Sequence, residues 1–176
     1  MRMLVAIGGA AIDGLLAHVA ARVGNVEEWI VLHVTDARPL DEVAGLGRGL
    51  LGRGRRADDL VARMRALAAE SAGQELSLAG AWLAARGLPH RLVSRTGRPE
   101  REIIGVAAAE RVELIALGAG LGVDPGPGVH PLSPIARFVV DHALCDVLLL
   151  RPPDTEERDW LPPPPPRGGP PPRRPG

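Results

Sequence analysis

The chain of 176 residues is 45% hydrophobic and 24% charged, enough for one globular domain with a core of its own and too little for a second. Its 21 Lys+Arg balance 21 Asp+Glu, so no overall field gathers nucleic acid or an anionic membrane, and one Phe with no Tyr leaves almost no stacking surface for single-stranded bases. Cys145 is the single cysteine, which excludes an intrachain disulfide and a cysteine-based metal cluster, and no apolar run approaches the roughly 20 residues that span a bilayer.

Residues 3–7 form a short apolar run ended by Gly8 and Gly9, the profile of a strand buried on both faces and stopped by a glycine turn. Over 11–23, Ile12, Leu15, Leu16 and Val19 recur at helical spacing before Gly24 and Asn25 close the helix. A second buried-type strand, rich in β-branched residues, covers 29–34. Residues 36–57 are expected to be loop-like, with Pro39, five glycines and the cluster Arg48, Arg53, Arg55 and Arg56. That cluster would suit an acidic partner or a phosphate, yet its glycine-rich setting reads more simply as a solvated loop. Every basic residue is arginine, which favours phosphate recognition but reads first as a compositional bias shared with abundant Ala, Gly and Pro.

Asp58 and Asp59 are placed to cap a long helix running through Leu60, Met64, Leu67, Leu76, Leu83 and Ala84 to a stop at Gly87, with Gly73 and Gly80 expected to bend or interrupt it. A third strand covers 90–94, and Pro99 opens another helix whose first turn Glu100 and Glu102 favour electrostatically. The fourth strand covers 113–117, a Gly/Pro loop 119–132, a helix 133–142, and a last strand 147–151 is stopped by Pro152. Strands alternating with helices predict right-handed crossovers and a parallel sheet covered on both faces, an α/β three-layer sandwich over residues 1–152. From Pro153 the composition turns charged and then Pro/Gly/Arg-rich, so 153–176 is expected to be a disordered or polyproline-like tail, with docking to a polyproline-binding protein as the sharper alternative.

Chemistry-bearing constellations are sparse. Gly8, Gly9 and Gly14 miss the G-x-G-x-x-G spacing of a dinucleotide site, and Ile7 stands where the Ser-Gly-Gly loop of ATP pyrophosphatases has its serine. Asp13 begins or flanks the first helix. His18, His33, His90, His130 and His142 lack metal-ligand spacing such as H-E-x-x-H, so no metal is expected, and His33 and His142 read as structural. Ser133 reads as a helix cap, not a nucleophile, because no base is placed beside it, and Cys145 as a buried inert thiol. No catalytic residue is identified. The chain opens directly into a strand pattern without a signal-peptide profile, which with the lone thiol leads to the expectation of a cytoplasmic protein.

The opening Leu4-Val5-Ala6, the strand Val31-Leu32-His33-Val34 and the closing stretch of Ser133, Ala136, Val139, Val140, His142, Ala143, Cys145 and Val147-Leu148-Leu149-Leu150-Arg151-Pro152 resemble the universal stress protein family. The resemblance implies a five-stranded sheet in the order 3-2-1-4-5 and, in many members, ATP binding in the stress response. Carried over by position, Val34, Gly118, Gly122 and Ser133 would form the adenine and phosphate pocket. Glycines there let the backbone approach phosphate oxygens, and the following helix aims free N–H groups at the anion.

The chain departs from that pattern. Gly8 stands where the family has an aspartate, Gly118 and Gly122 are one residue too far apart with Gly120 between them, and Leu132 replaces the glycine before Ser133. Pro134 has no N–H to donate, and Pro125, Pro127 and Pro131 stiffen the loop. The expectation is therefore a non-enzymatic regulatory homodimer with a degenerate nucleotide pocket, paired through the edge strand of Val147, Leu148, Leu149 and Leu150. The alternative is an ATP-binding switch, with or without slow hydrolysis, that still holds phosphates on Gly118, Gly122 and Ser133. Neither nucleic acid nor membrane is an expected partner.

Overall fold

The computed structural model describes residues 1–8, 12–39, 42, 55–120 and 132–151. Among the described residues the elements in chain order include β1 (Arg2–Ile7), α1 (Ile12–Ala20), β2 (Glu28–Asp36), α2 (Arg55–Ala84), β3 (His90–Gly97), α3 (Pro99–Ala109), β4 (Leu114–Gly118), α4 (Pro134–His142) and β5 (Asp146–Leu150). The strands form one sheet in the order β3-β2-β1-β4-β5, and every neighbouring pair is parallel. The expected three-layer α/β sandwich is the architecture found. No described helix is long and apolar enough to cross a membrane.

The alternation of β1 explains the two cores. Its residues are buried from Met3 onward, and successive side chains point to opposite faces. Met3, Val5 and Ile7 join Trp29 and Val31 beneath Leu16 and Val19 of α1 and Leu76, Ala79 and Leu83 of α2. Leu4 and Ala6 join Ile30, Leu32, Ile115 and Leu117 beneath Ile103 and Val106 of α3 and Ala136 and Val139 of α4. Each fully buried aliphatic side chain contributes about 1.5–3 kcal/mol, which is why a chain with few aromatics still forms two cores.

Three expectations are corrected. α2 runs unbroken through Gly73 and Gly80, because its buried residues Ala72, Leu76, Ala79 and Leu83 keep helical spacing across both glycines. Gly80 is a close-approach position: a Cβ there would lie 3.0 Å from Leu92 Cδ1 on β3. Asp58 does not cap the helix, which begins at Arg55; it sits in the first turn, where a carboxylate complements the helix dipole. Helix α1 ends at Ala20, short of the predicted end at Val23 before Gly24 and Asn25.

The glycine stop of α2 is realised. Gly87 has φ +64°, its N–H donates to the Ala84 carbonyl at 3.0 Å, and the Leu88 N–H donates to the Leu83 carbonyl at 3.1 Å. That paired pattern closes a helix through a left-handed residue, and glycine adopts it without a Cβ penalty. Of residues 36–57, Arg38, Pro39 and Glu42 are helical and α2 begins at Arg55; the remainder of that segment after Pro39, with Arg48 and Arg53, lies outside the described residues. The tail 153–176 lies outside them as well.

Candidate functional site

The connections leaving β1 and β4 run to opposite sides, β1 to β2 and β4 to β5, so a crevice opens between them at the carboxyl ends of the strands. In open parallel sheets ligands bind at this switch point. A cavity of about 190 Å³ lies beside it. Ala6, Ile7 and Gly8 from the end of β1 and Leu32 and Val34 from β2 line one wall; Pro99 and Ile103 of α3 and Ile135 of α4 line the other. Asp36 and Arg38 complete the rim. The volume is below the roughly 300 Å³ at which drug-sized ligands are accommodated, so it suits a single ring system.

The predicted site residues divide. Gly8 and Val34 meet in this cavity, and Gly8 leaves it without a carboxylate from β1. Gly118 ends β4 beside Leu150, with open space where a Cβ would stand, and like Ser133 it does not line the cavity. Gly122 lies outside the described residues.

Ser133 is the N-cap of α4, as its position predicts. Its Oγ accepts from the Ala136 N–H at 3.1 Å, its own N–H donates to the Ala119 carbonyl at 2.9 Å, and its carbonyl accepts from the Arg137 N–H at 2.9 Å. Pro134 occupies the first helical position and has no N–H. Ser133 is only 3% exposed. The Leu132 side chain packs against the core beneath α3 and α4.

A charged cluster at the rim escaped the sequence reading. Arg38 Nε donates to Asp36 Oδ1 at 2.9 Å and Oδ2 at 3.0 Å, and the Arg38 backbone N–H donates to Oδ1 at 3.0 Å. The Arg38 hydrogen bond holds the Asp36 carboxyl below the usual aspartate range, against the opposing effect of partial burial. Glu100 lies 3.1 Å from Arg98 Nε and 3.9 Å from Arg38 Nη2. Its side chain is 10% exposed, and its Oε2 has no hydrogen-bond partner among the described residues. The local signal was Asp-x-Arg at the end of a buried strand; the link to Glu100, 62 positions beyond Arg38, had none.

The other singled-out residues lie elsewhere. His33 Nε2 stands 3.7 Å from Glu75 Oε2 between β2 and α2. His142 stacks on Phe138 at 3.9 Å, and its Nδ1 lies 2.9 Å from the Phe138 carbonyl. Cys145 is partly exposed, which corrects the expectation of a buried thiol: among the described strands β5 lies at the sheet edge, beside β4 alone. Burial raises the Cys145 pKa, and Asp146 raises it further. Cys145 lines a second cavity of about 240 Å³ with Leu144 and Arg111 at the opposite end of the sheet, away from the switch point. Among the described residues no group of three or more His, Cys, Asp or Glu could hold a metal ion.

Solved structures share this fold. The protein MJ0577 is 19% identical with a TM-score of 0.66, over 85% of this chain and 94% of its own. The universal stress protein UspA from Lactobacillus plantarum is 22% identical with a TM-score of 0.56, over 86% of this chain and 97% of its own. A universal stress protein family member from Arabidopsis thaliana, solved with AMP bound, is 14% identical with a TM-score of 0.57, over 86% and 92%. No curated protein matches the chain. The model of the universal stress protein family matches residues 1–151, spanning all five strands of the sheet, and the chain belongs to that family.

Proposed function

We propose that this universal stress protein acts as a non-enzymatic regulatory dimer of the stress response, with a crevice that no longer grips a nucleotide by its phosphates. The observation that supports this reading is the hydrogen bonding of the α4 first turn. A helix N-terminus binds an anion through its free N–H groups. Here the Ser133 N–H is engaged by Ala119, Pro134 has none, and the Ala136 N–H is engaged by Ser133 Oγ. Three missing hydrogen bonds at about 1–1.5 kcal/mol each weaken phosphate binding by about a hundred- to a thousandfold.

The rim carboxylates favour a non-enzymatic role. Asp36 is hydrogen-bonded to Arg38, and Glu100 Oε1 is ion-paired with Arg98, which suits a structural role for both. The position of β5 at the edge of the described sheet favours dimerisation, since an edge strand can take up a second strand. The tail 153–176 remains a candidate docking segment for a polyproline-binding protein.

Calorimetric titration of the full-length protein with ATP tests the reading. The expected result is no binding tighter than about 50 µM, a threshold set below the roughly 100 µM to 1 mM that follows when a micromolar site is weakened by that factor. A lower Kd overturns it and leaves the ATP-binding switch, with phosphates on Gly118, Gly122 and Ser133 and ATP as a true ligand. The AMP found on the Arabidopsis relative favours that second reading.

A further inference from the structure

We propose that α2 docks on α2 of a second copy of this chain, antiparallel about a two-fold axis, through the stripe of Leu60, Met64 and Leu67. Helix α2 has 30 residues, about 45 Å of helix, whereas β2 and β3 beneath it have nine and eight residues and span about 26–30 Å. Its buried residues Ala72, Leu76, Ala79 and Leu83 belong to the half that packs on those strands. Between Val61 and Ala72 no side chain of α2 is buried among the described residues. That stretch carries the stripe: Leu60 is 51% exposed and Leu67 66% exposed, with Met64 partly buried between them. Steps of four and three residues keep the three side chains in one row, the seam of a paired helix. The row lies about a third of a turn around from the core-facing residues, so the sheet does not cover it.

The charges beside the stripe select the occupant. Arg63 and Glu70 are exposed, border the stripe on its side away from the sheet, and form no ion pair among the described residues. They stand two helical turns apart. An antiparallel pairing that sets Met64 against Leu67 of its partner and Leu60 against Ser71 brings Arg63 beside Glu70 of its partner, and the two-fold axis makes the same pair a second time. A parallel pairing in register instead faces Glu70 with Glu75 of its partner, two like charges, which disfavours it. The surface is thus complementary to itself. Three apolar side chains from each copy make a contact below the roughly 1,200 Å² of a stable interface, so the pairing is weak and forms at high protein concentration. It is independent of β5, because α2 packs on β2 and β3 at the opposite edge of the sheet.

Sedimentation velocity of the full-length protein from about 5 µM to about 500 µM tests this, a range that brackets a weak contact. The weight-average mass should rise by at least about half across the series, in the wild type and equally in Val147→Asp, whatever the mass of each when dilute. Arg63→Glu and Glu70→Arg should each abolish the rise, because each sets like charges across the axis. An equal mixture of those two variants should restore it, since every contact between unlike copies is then an opposite pair. Leu67→Glu should abolish the rise and leave the thermal transition within a few degrees. A flat wild-type mass overturns the proposal, as does a mixture no heavier than its components. A rise lost in Val147→Asp assigns the association to β5 and overturns it too. So does a large fall in Tm for Leu67→Glu in dilute solution, which would mean that the chain itself covers the stripe.

Discussion

Replacing Ser133 with alanine separates a capping serine from a serine held ready for phosphate. The substitution removes the Oγ that accepts from the Ala136 N–H at 3.1 Å. A lost N-cap costs about 0.5–2 kcal/mol. Ala136 is 0% exposed, so water has little access to the orphaned amide and the cost falls in the upper half of that range, about 1.5–2 kcal/mol. For a domain of this size each kcal/mol moves the melting temperature by about 2–4 °C, so the Tm should fall by about 3–8 °C in calorimetry or circular dichroism. Ser133→Thr keeps the acceptor and should restore most of the loss. A fall below about 1 °C for Ser133→Ala would show that the hydroxyl is free, and the α4 turn would regain one of the groups on which the lost phosphate grip depends.

Three further outcomes are expected. Gly73→Ala, with open space around its Cβ in mid-helix, should stabilise by about 0.5–1 kcal/mol, whereas Gly87→Ala, at φ +64°, should destabilise by about 1–2 kcal/mol; urea denaturation reads both. Because Arg38 lowers the folded-state pKa of Asp36, the stability from that pair is present above the unfolded value near 3.9 and is lost as pH falls through the folded value. The Tm difference between the wild type and Asp36→Asn should therefore be a small plateau above about pH 5 that disappears toward about pH 2, and a difference growing in acid would refute the assignment. Light scattering after size exclusion should find a dimer for the full-length protein and a monomer for Val147→Asp, a charge placed near the start of the edge strand; a monomeric wild type would exclude pairing through β5.

The elements were legible because their causes are local. The runs at Met3–Ile7 and Trp29–Val34, the proline opening α3 and the left-handed glycine after α2 each determine backbone behaviour from a few neighbouring residues. Pro134 was equally legible, since the absence of an N–H belongs to the residue itself. What only the tertiary structure decided is which groups meet. The Ala119 carbonyl takes the amide of Ser133, distant along the chain, Glu100 comes to rest against the Asp36–Arg38 pair, and burial of Ala72, Leu76, Ala79 and Leu83 carries α2 straight past its glycines. These meetings depend on long-range closure of the sheet and its helices, where burial outweighs local preference.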